Sequence, residues 1–315
     1  MQFFLDGLLD QCERTRFNAE LILVEWNPPQ DKPRLREALH WQSNSSFCRT
    51  RIIEVNSKIH SGFQHSDELP LFQMIAKNAG IRRAGGQFIL ATNIDILFSN
   101  ELMRYLSSRS LKKNRLYRID RYDSPIPAGN TTEERIKDCR EHVVRINRRD
   151  GSTNTVTNHF NEIYRSISRK EQFREVLRDY GWLPVVGRKR LHTNACGDFT
   201  LLSRDRWFTI RGYPEFEMYS FHLDSVLCFA AYHSGAREVV LKDPMRIYHM
   251  EHEHGWSPER EDNLNKTLSN KGIRRLEHSQ MEAWAIQMRR ERKPIIFNEG
   301  NWGLAAEDLP ETFIG

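Results

Sequence analysis

The 315-residue sequence contains no apolar run approaching the ~20 residues that a bilayer-crossing helix needs. It does not open on the charged, apolar and small-residue succession of a secretory signal. Both absences set the expectation of a cytoplasmic protein. Cysteine is scarce: Cys12, Cys48, Cys139, Cys196 and Cys228 lie far apart, with no C-x-x-C pair. That spacing argues against a structural zinc cluster and against a secreted disulfide framework, and leaves buried free thiols as the expected state. There is no internal repeat and no low-complexity linker. Charge of one sign is not in large excess either, the net charge being +5. What remains is an ordinary globular composition, 39% hydrophobic with 28% charged residues, long enough for one large domain or two small ones.

Apolar periodicity then gives the elements. Phe4, Leu5, Leu8, Leu9 and Cys12 recur at helical spacing and predict an amphipathic opening helix. "ELILVEWNPP" and "RIIEV" (51–55) are continuous apolar runs of strand length, the form taken by strands covered on both faces. Pro28-Pro29 halts the first. "LFQMIAKNAGIRRAGG" predicts a helix with Leu71, Met74 and Ile75 inward and the glycines as terminator, delivering the chain into the strand "QFILAT". Strand, helix, strand is the parallel α/β pattern. "RLYRIDRYD" (115–123) predicts one further strand, and "TTEERIKDCREHVVRI" a helix capped by Thr131 or Thr132 with Glu134 in its first turn. Residues 148–191 are polar, carry the turn signals Asp150-Gly151 and Tyr180-Gly181, and read as an insertion or lid-like excursion. Beyond it come "FTLLSRDRW", the turn "RGYPEF", a helix from about Asp224 to His233 closed by Gly235, and the strand "EVVL".

In parallel sheets ligands bind outside the carboxyl ends of the strands. Asn93 and Asp95 follow such a strand, and so do Glu25 and Asn27. Asp95 can ligate Mg²⁺ or Mn²⁺ carrying a diphosphate, an ion that needs only one or two protein carboxylates because phosphates and waters fill its other positions. Asn93 can hydrogen-bond a ribose hydroxyl or a metal-bound water. By itself the pair also fits a simple turn.

Its surroundings add more. "KNAGIRRAGGQFILATNID", with Lys77, Asn78, Gly80, Ala84, Gly86 and Asp95, resembles the stretch leading into the D-x-D motif of GT-A-fold nucleotide-sugar glycosyltransferases, with Asn93 in place of the first Asp. "GDFTLLSRDRWFTIRGYPEF" resembles the acceptor-side segment of the same family, and "FHLDSVLCFAAYHSG" its acid-bearing helix. The resemblance implies a GT-A type, Rossmann-like, mainly parallel sheet flanked by helices, in a single domain of three parts. These are a nucleotide-sugar half (1–123), an insertion or lid (124–191), and an acceptor half with a C-terminal tail (192–315). It implies Asp224 as general base of an inverting transfer, Asp95 and His249 as ligands of Mn²⁺ or Mg²⁺, and donor contacts from Glu25, Asn27, Lys77, Asn78 and Asn93. Substrate contacts would come from Asp198, Tyr213, Glu215, His222 and His252. It also implies a first strand that helps hold the nucleoside, whereas Met1 already stands inside the helix that would follow it. "RIYHMEHEHGWS" lacks H-E-x-x-H, which argues against a metalloprotease.

The expected partners are a nucleoside-diphosphate sugar and a glycan, lipid-linked or small-molecule acceptor, as in polysaccharide biosynthesis. Two rivals stand beside this reading: a nucleotidyltransferase on a similar sheet, and a catalytically silent sugar- or nucleotide-binding relative. Basic clusters at 145–149, 188–190 and 289–293 would suit phosphates, nucleic acid or an anionic membrane surface. None interleaves with aromatics as a nucleic-acid platform does, so no nucleic-acid partner is expected and a peripheral membrane contact is kept in view.

Overall fold

A computed structural model describes residues 1–41, 46–155, 191–251 and 258–314. The opening helix, Gln2–Thr15, and the strands β1 (Ala19–Trp26) and β2 (Cys48–Val55) form where the apolar pattern puts them. β1 and β2 pair in parallel, and β12 (Glu311–Ile314) adds antiparallel to β2. The predicted helix runs Gln73–Arg83, and Leu71, expected inward, lies before it and is 46% exposed. It leads to β3 (Phe88–Thr92), followed by the short β4 (Ile96–Phe98).

The stretch 115–123 is two strands, not one: β5 (Arg115–Ile119) and β6 (Arg121–Pro125). The chain passes at Asp120 from one sheet into another, because Leu116 to Ile119 satisfy the central sheet while Tyr122 packs in a separate cluster with Tyr248 and Leu97. The helix Thr132–Glu141 carries a complete capping box from Thr131 and Glu134, but ends before "VVRI". Residues Arg145–Arg148 are a strand, β7, in a hairpin with β8 (Gly151–Asn154). Thus 124–154 are packed into the sheet framework; residues 156–190, read as excursion, lie outside the described residues.

β9 (Phe199–Ser203) runs antiparallel between β3 and β5, and β10 (Arg237–Leu241) parallel to β5, giving the order β10-β5-β9-β3. β11 (Ile247–Glu251) lies between β4 and β6 in a five-stranded sheet, β4-β11-β6-β7-β8. The architecture is therefore mixed α/β. The sheets are mixed and not clearly mainly parallel as expected: among the described residues β1–β2, β5–β10 and β6–β11 pair in parallel and the other ladders are antiparallel.

Strand alternation divides the core into two layers. Ile89, Ala91, Leu116 and Leu202 face the helices Arg204–Ile210, Leu223–His233 and His278–Glu291 through Trp207, Val226, Leu227 and Met281. Tyr117, Ile119 and Leu201 face the helices Gln2–Thr15 and Asn100–Ser107 through Phe4, Leu5, Leu9, Leu102 and Met103. Each fully buried apolar side chain contributes about 1.5–3 kcal/mol, so the two layers dominate stability. β1 and β3 contribute to the same two layers, with Ile22 on one side and Leu21, Leu23, Phe88 and Leu90 on the other. Yet among the described residues they exchange no ladder, and Ile22, Val24 and Leu90 are only half buried. Among the described residues each is the edge strand of its sheet.

Candidate functional site

Several strand ends converge on one polar cluster. Asp198 enters β9 with both carboxylate oxygens engaged: Asn93 Nδ2 donates to Oδ1 at 2.5 Å, and Arg121 Nη1 pairs with Oδ2 at 2.6 Å. Asn93 Oδ1 in turn accepts from Gln73 at 3.2 Å, and Thr92 Oγ1 donates to the Asp198 carbonyl at 2.8 Å. Asn93 is thus a tie between β3 and β9.

Arg121 also reaches Asp123, with Nε 2.7 Å from Oδ1. The parallel register sets His249 opposite Asp123, and the antiparallel register sets it opposite Ile96, one residue past Asp95. His249 consequently bridges two carboxylates, with Nδ1 3.3 Å from Asp123 and Nε2 3.4 Å from Asp95. Burial works against a charge on His249, but hydrogen bonds to Asp123 and Asp95 outweigh it and push the imidazole up to about 9. Asp123 feels the reverse: burial opposes its charge, while His249 and Arg121 hold the carboxyl below its ordinary value. Asn147 Nδ2 steadies Asp123 at 2.9 Å, itself held by Ser152 at 2.6 Å.

Next to Asp198, Lys77 Nζ donates to the Gly197 carbonyl at 2.6 Å. Burial lowers its pKa, while Asp198, Asp224 and Asp95 pull it the other way, so one ammonium senses three carboxylates. Asp224 opens the helix Leu223–His233, where the positive end of the helix dipole favours a carboxylate, and Oδ1 accepts from the Ser225 amide at 2.8 Å. A Cβ on Gly197 would stand 3.2 Å from Asp224 Oδ2 and 3.9 Å from Lys77 Nζ, so a side chain there would crowd the space between them. His222, the preceding cap, is left-handed at φ 62°, with its ring 5.4 Å from that of His278.

The loop carrying Gly197 and Asp198 is set from below by Arg118, which is fully buried. Its guanidinium donates to the carbonyls of His192 at 2.8 Å and Asn194 at 3.1 Å. His192 contacts Asp120 at 2.9 Å, and burial keeps its pKa down.

Of the residues expected at a site, Lys77, Asn93, Asp95, Asp198, Asp224 and His249 come together. Others do not. Asn78, expected to contact a donor, is fully buried, with Nδ2 on the Tyr213 carbonyl at 2.8 Å and Glu215 Oε1 at 2.9 Å, and Oδ1 accepting from the Tyr213 amide at 2.8 Å. Gly212, at φ 72°, is required there because any Cβ would overlap the Asn78 amide. Tyr213 is buried against Trp207, and Glu215 also accepts from the Gly303 amide at 2.7 Å. Burial lifts the Glu215 carboxyl. These three expected ligand contacts are therefore an interior lock, selected by the need to satisfy buried polar groups. Glu25 caps the short helix Leu35–Ala38 through the Leu35 amide at 2.9 Å, and Asn27 turns the chain at φ 45°. His252 lies outside the described residues.

Sequence reasoning missed Arg121 and Asp123. Their signal was the alternation of Arg121, Tyr122 and Asp123, in which the charged positions share one side of a strand. No family model and no curated protein matches this chain.

Proposed function

We propose that the protein is a metal-dependent glycosyltransferase of GT-A type that moves a sugar from a nucleoside diphosphate to an acceptor hydroxyl. The observation that carries the reading is the convergence of Asp95, His249, Asp198 and Asp224 about Lys77, with His249 against Asp95 and Lys77 facing the charges of the three aspartates.

Asp95 and His249 are the residues that would hold Mn²⁺ or Mg²⁺. Their facing atoms, carboxylate oxygen and imidazole nitrogen, are a fitting donor pair for Mn²⁺, and two protein ligands suffice where phosphates and water supply the rest. No group of three or more ligating side chains occurs among the described residues. When bound, the ion would neutralise the charge of the leaving diphosphate, an electrostatic role worth several kcal/mol.

The chain's own residues do the remainder. Arg121 and Asn147 fix Asp123, and Asp123 orients the His249 ring toward Asp95. Asn93 and Arg121 lock Asp198, so that the loop through Gly197 keeps a constant distance from Lys77. Asp224, in the first turn of its helix, accepts the acceptor's proton as the sugar carbon is attacked. Incubation with a panel of labelled nucleotide sugars and Mn²⁺ tests the proposal. Sugar release or transfer that disappears in Asp95→Ala supports it, and release of pyrophosphate from a nucleoside triphosphate instead would favour the nucleotidyltransferase. Binding without turnover favours the silent relative.

A further inference from the structure

The end of the molecule remote from the candidate site is basic. β5 and β10 begin there in parallel register, which lays Arg237 directly beside Arg115, two like charges whose repulsion is relieved only by solvent or an anion. The Arg237 amide also holds the Asn114 carbonyl at 2.9 Å. The helix Leu223–His233 ends beside this point, and His233 is held below its ordinary pKa by burial and by the charge of Arg289. This helix packs alongside His278–Glu291, with His222 beside His278 at their first turns, so the strand ends lie toward the C-terminus of the latter and toward Arg289, Arg290, Arg292 and Lys293, all exposed. Among the described residues none of these six cations has an ion-pair partner.

The other basic clusters behave differently. Arg149 is paired with the buried Glu238 at 2.7 Å, and Arg145 is half-buried and feels the charge of Asp123. Residues 188–190 lie outside the described residues. Of the two described clusters, that at 289–293 is the one whose cations are all exposed, and an exposed apolar side chain follows it in the chain. Ile296 is 38% exposed in the segment that follows it, held in place by Phe297 packed 4.9 Å from Trp284. Tyr232, also 38% exposed, neighbours His233.

We infer that this basic end, with Ile296 and Tyr232 as its apolar contacts, is a docking surface for an anionic lipid bilayer. Cations alone would suit any polyanion, but exposed aliphatic and tyrosyl side chains among them match the interface between headgroups and acyl chains. A consequence follows for orientation. The helix His278–Glu291 has 14 residues, and 1.5 Å per residue makes it roughly 21 Å long. Its first turn stands beside His222 and its last carries Arg289, so a bilayer held at the basic end leaves Asp224 facing away from the lipid.

The test is co-sedimentation of the full chain with phosphatidylcholine vesicles, with and without phosphatidylserine, at low and high salt. Binding is expected only to the anionic vesicles, falling with salt. Arg289→Gln combined with Arg290→Gln should weaken it roughly 30-fold, from the typical interaction of a basic residue with an anionic surface. Ile296→Ser should weaken vesicle binding while leaving retention on duplex DNA unaltered. Circular dichroism of each variant checks the fold. Absence of binding to anionic vesicles at low salt, or equal binding by the double arginine variant, overturns the inference. Tighter retention of DNA than of vesicles, indifferent to Ile296→Ser, overturns it in favour of a nucleic-acid partner.

Discussion

Asn93 donates its side-chain amide to Asp198 at 2.5 Å, and the opposite oxygen of Asp198 is held by Arg121 at 2.6 Å. This relationship explains why an amide stands where the resembling motif has an aspartate. A carboxylate at 93 would remove the donor and set two negative charges against each other in a half-buried position. Asn93→Asp is therefore expected to lose about 1–3 kcal/mol of stability at neutral pH, the typical cost of leaving such a group unsatisfied. Denaturant unfolding at pH 7 and pH 4 measures it. The loss should shrink at the lower pH, where one carboxyl of the pair can hold a proton; an undiminished midpoint at pH 7 would show that the tie is dispensable.

Asp95→Ala should abolish Mn²⁺-dependent binding of a uridine diphosphate while leaving the thermal midpoint close to that of the parent. Asp95 sits between β3 and β4, outside both core layers. Calorimetry with and without Mn²⁺ reads the effect, and unchanged metal-dependent binding would remove Asp95 from the role proposed for it.

Asp224→Asn keeps the shape of the side chain but cannot take a proton. Transfer should fall by the ~10² to 10⁴ typical of a lost general base, while donor affinity barely changes. His222→Ala should do less, because His222 lies before the helix in a left-handed conformation and its ring packs against Phe221 and His278. Near-parental transfer by Asp224→Asn would shift the search for a base elsewhere, and Glu215 and Asp198 are poor successors because each is already held by interior hydrogen bonds.

His249 gives a pH dependence of definite sign. Its folded value of about 9 lies above the ordinary ~6.5, so the native state holds the proton more tightly than the unfolded chain. The stabilisation is complete below about pH 6.5 and is lost as pH rises through about 9. In the presence of a chelator, the stability difference between the parent and His249→Gln should narrow across that window, by on the order of 3 kcal/mol at most. A difference that is flat from pH 6 to about 9.5 would show that the bridge between Asp95 and Asp123 does not form.

The edge positions of β1 and β3 should be visible in amide exchange. Amides of β9, between β3 and β5, are expected to exchange most slowly, and the outward-facing amides of β1 and β3 markedly faster although both strands lie in the core layers. Uniform protection across all three would mean that the two edges have a partner.

The sequence by itself determined the elements whose signals are local. Helical spacing in 2–15, the apolar runs of β1, β2 and β3, the capping box of Thr131 and Glu134, and Gly235 after a helix all act within a few residues, and each formed where expected. Asn93 and Asp95 were also legible, as polar residues after a strand, whereas Lys77 and His249 stand inside a helix and a strand and were expected, with Asp198 and Asp224, only through the resemblance. Tertiary structure decided what each of them touches. Whether an asparagine such as Asn78 meets a ligand or locks Tyr213 and Glu215 depends on which distant carbonyl lies within hydrogen-bond reach, and no local pattern encodes that. The split at Asp120, the antiparallel insertion of β9, and the placing of Asp123 beneath His249 arise from pairing between strands far apart in the chain. Register between such strands is fixed by burial of whole faces, and burial is a property of the packed molecule.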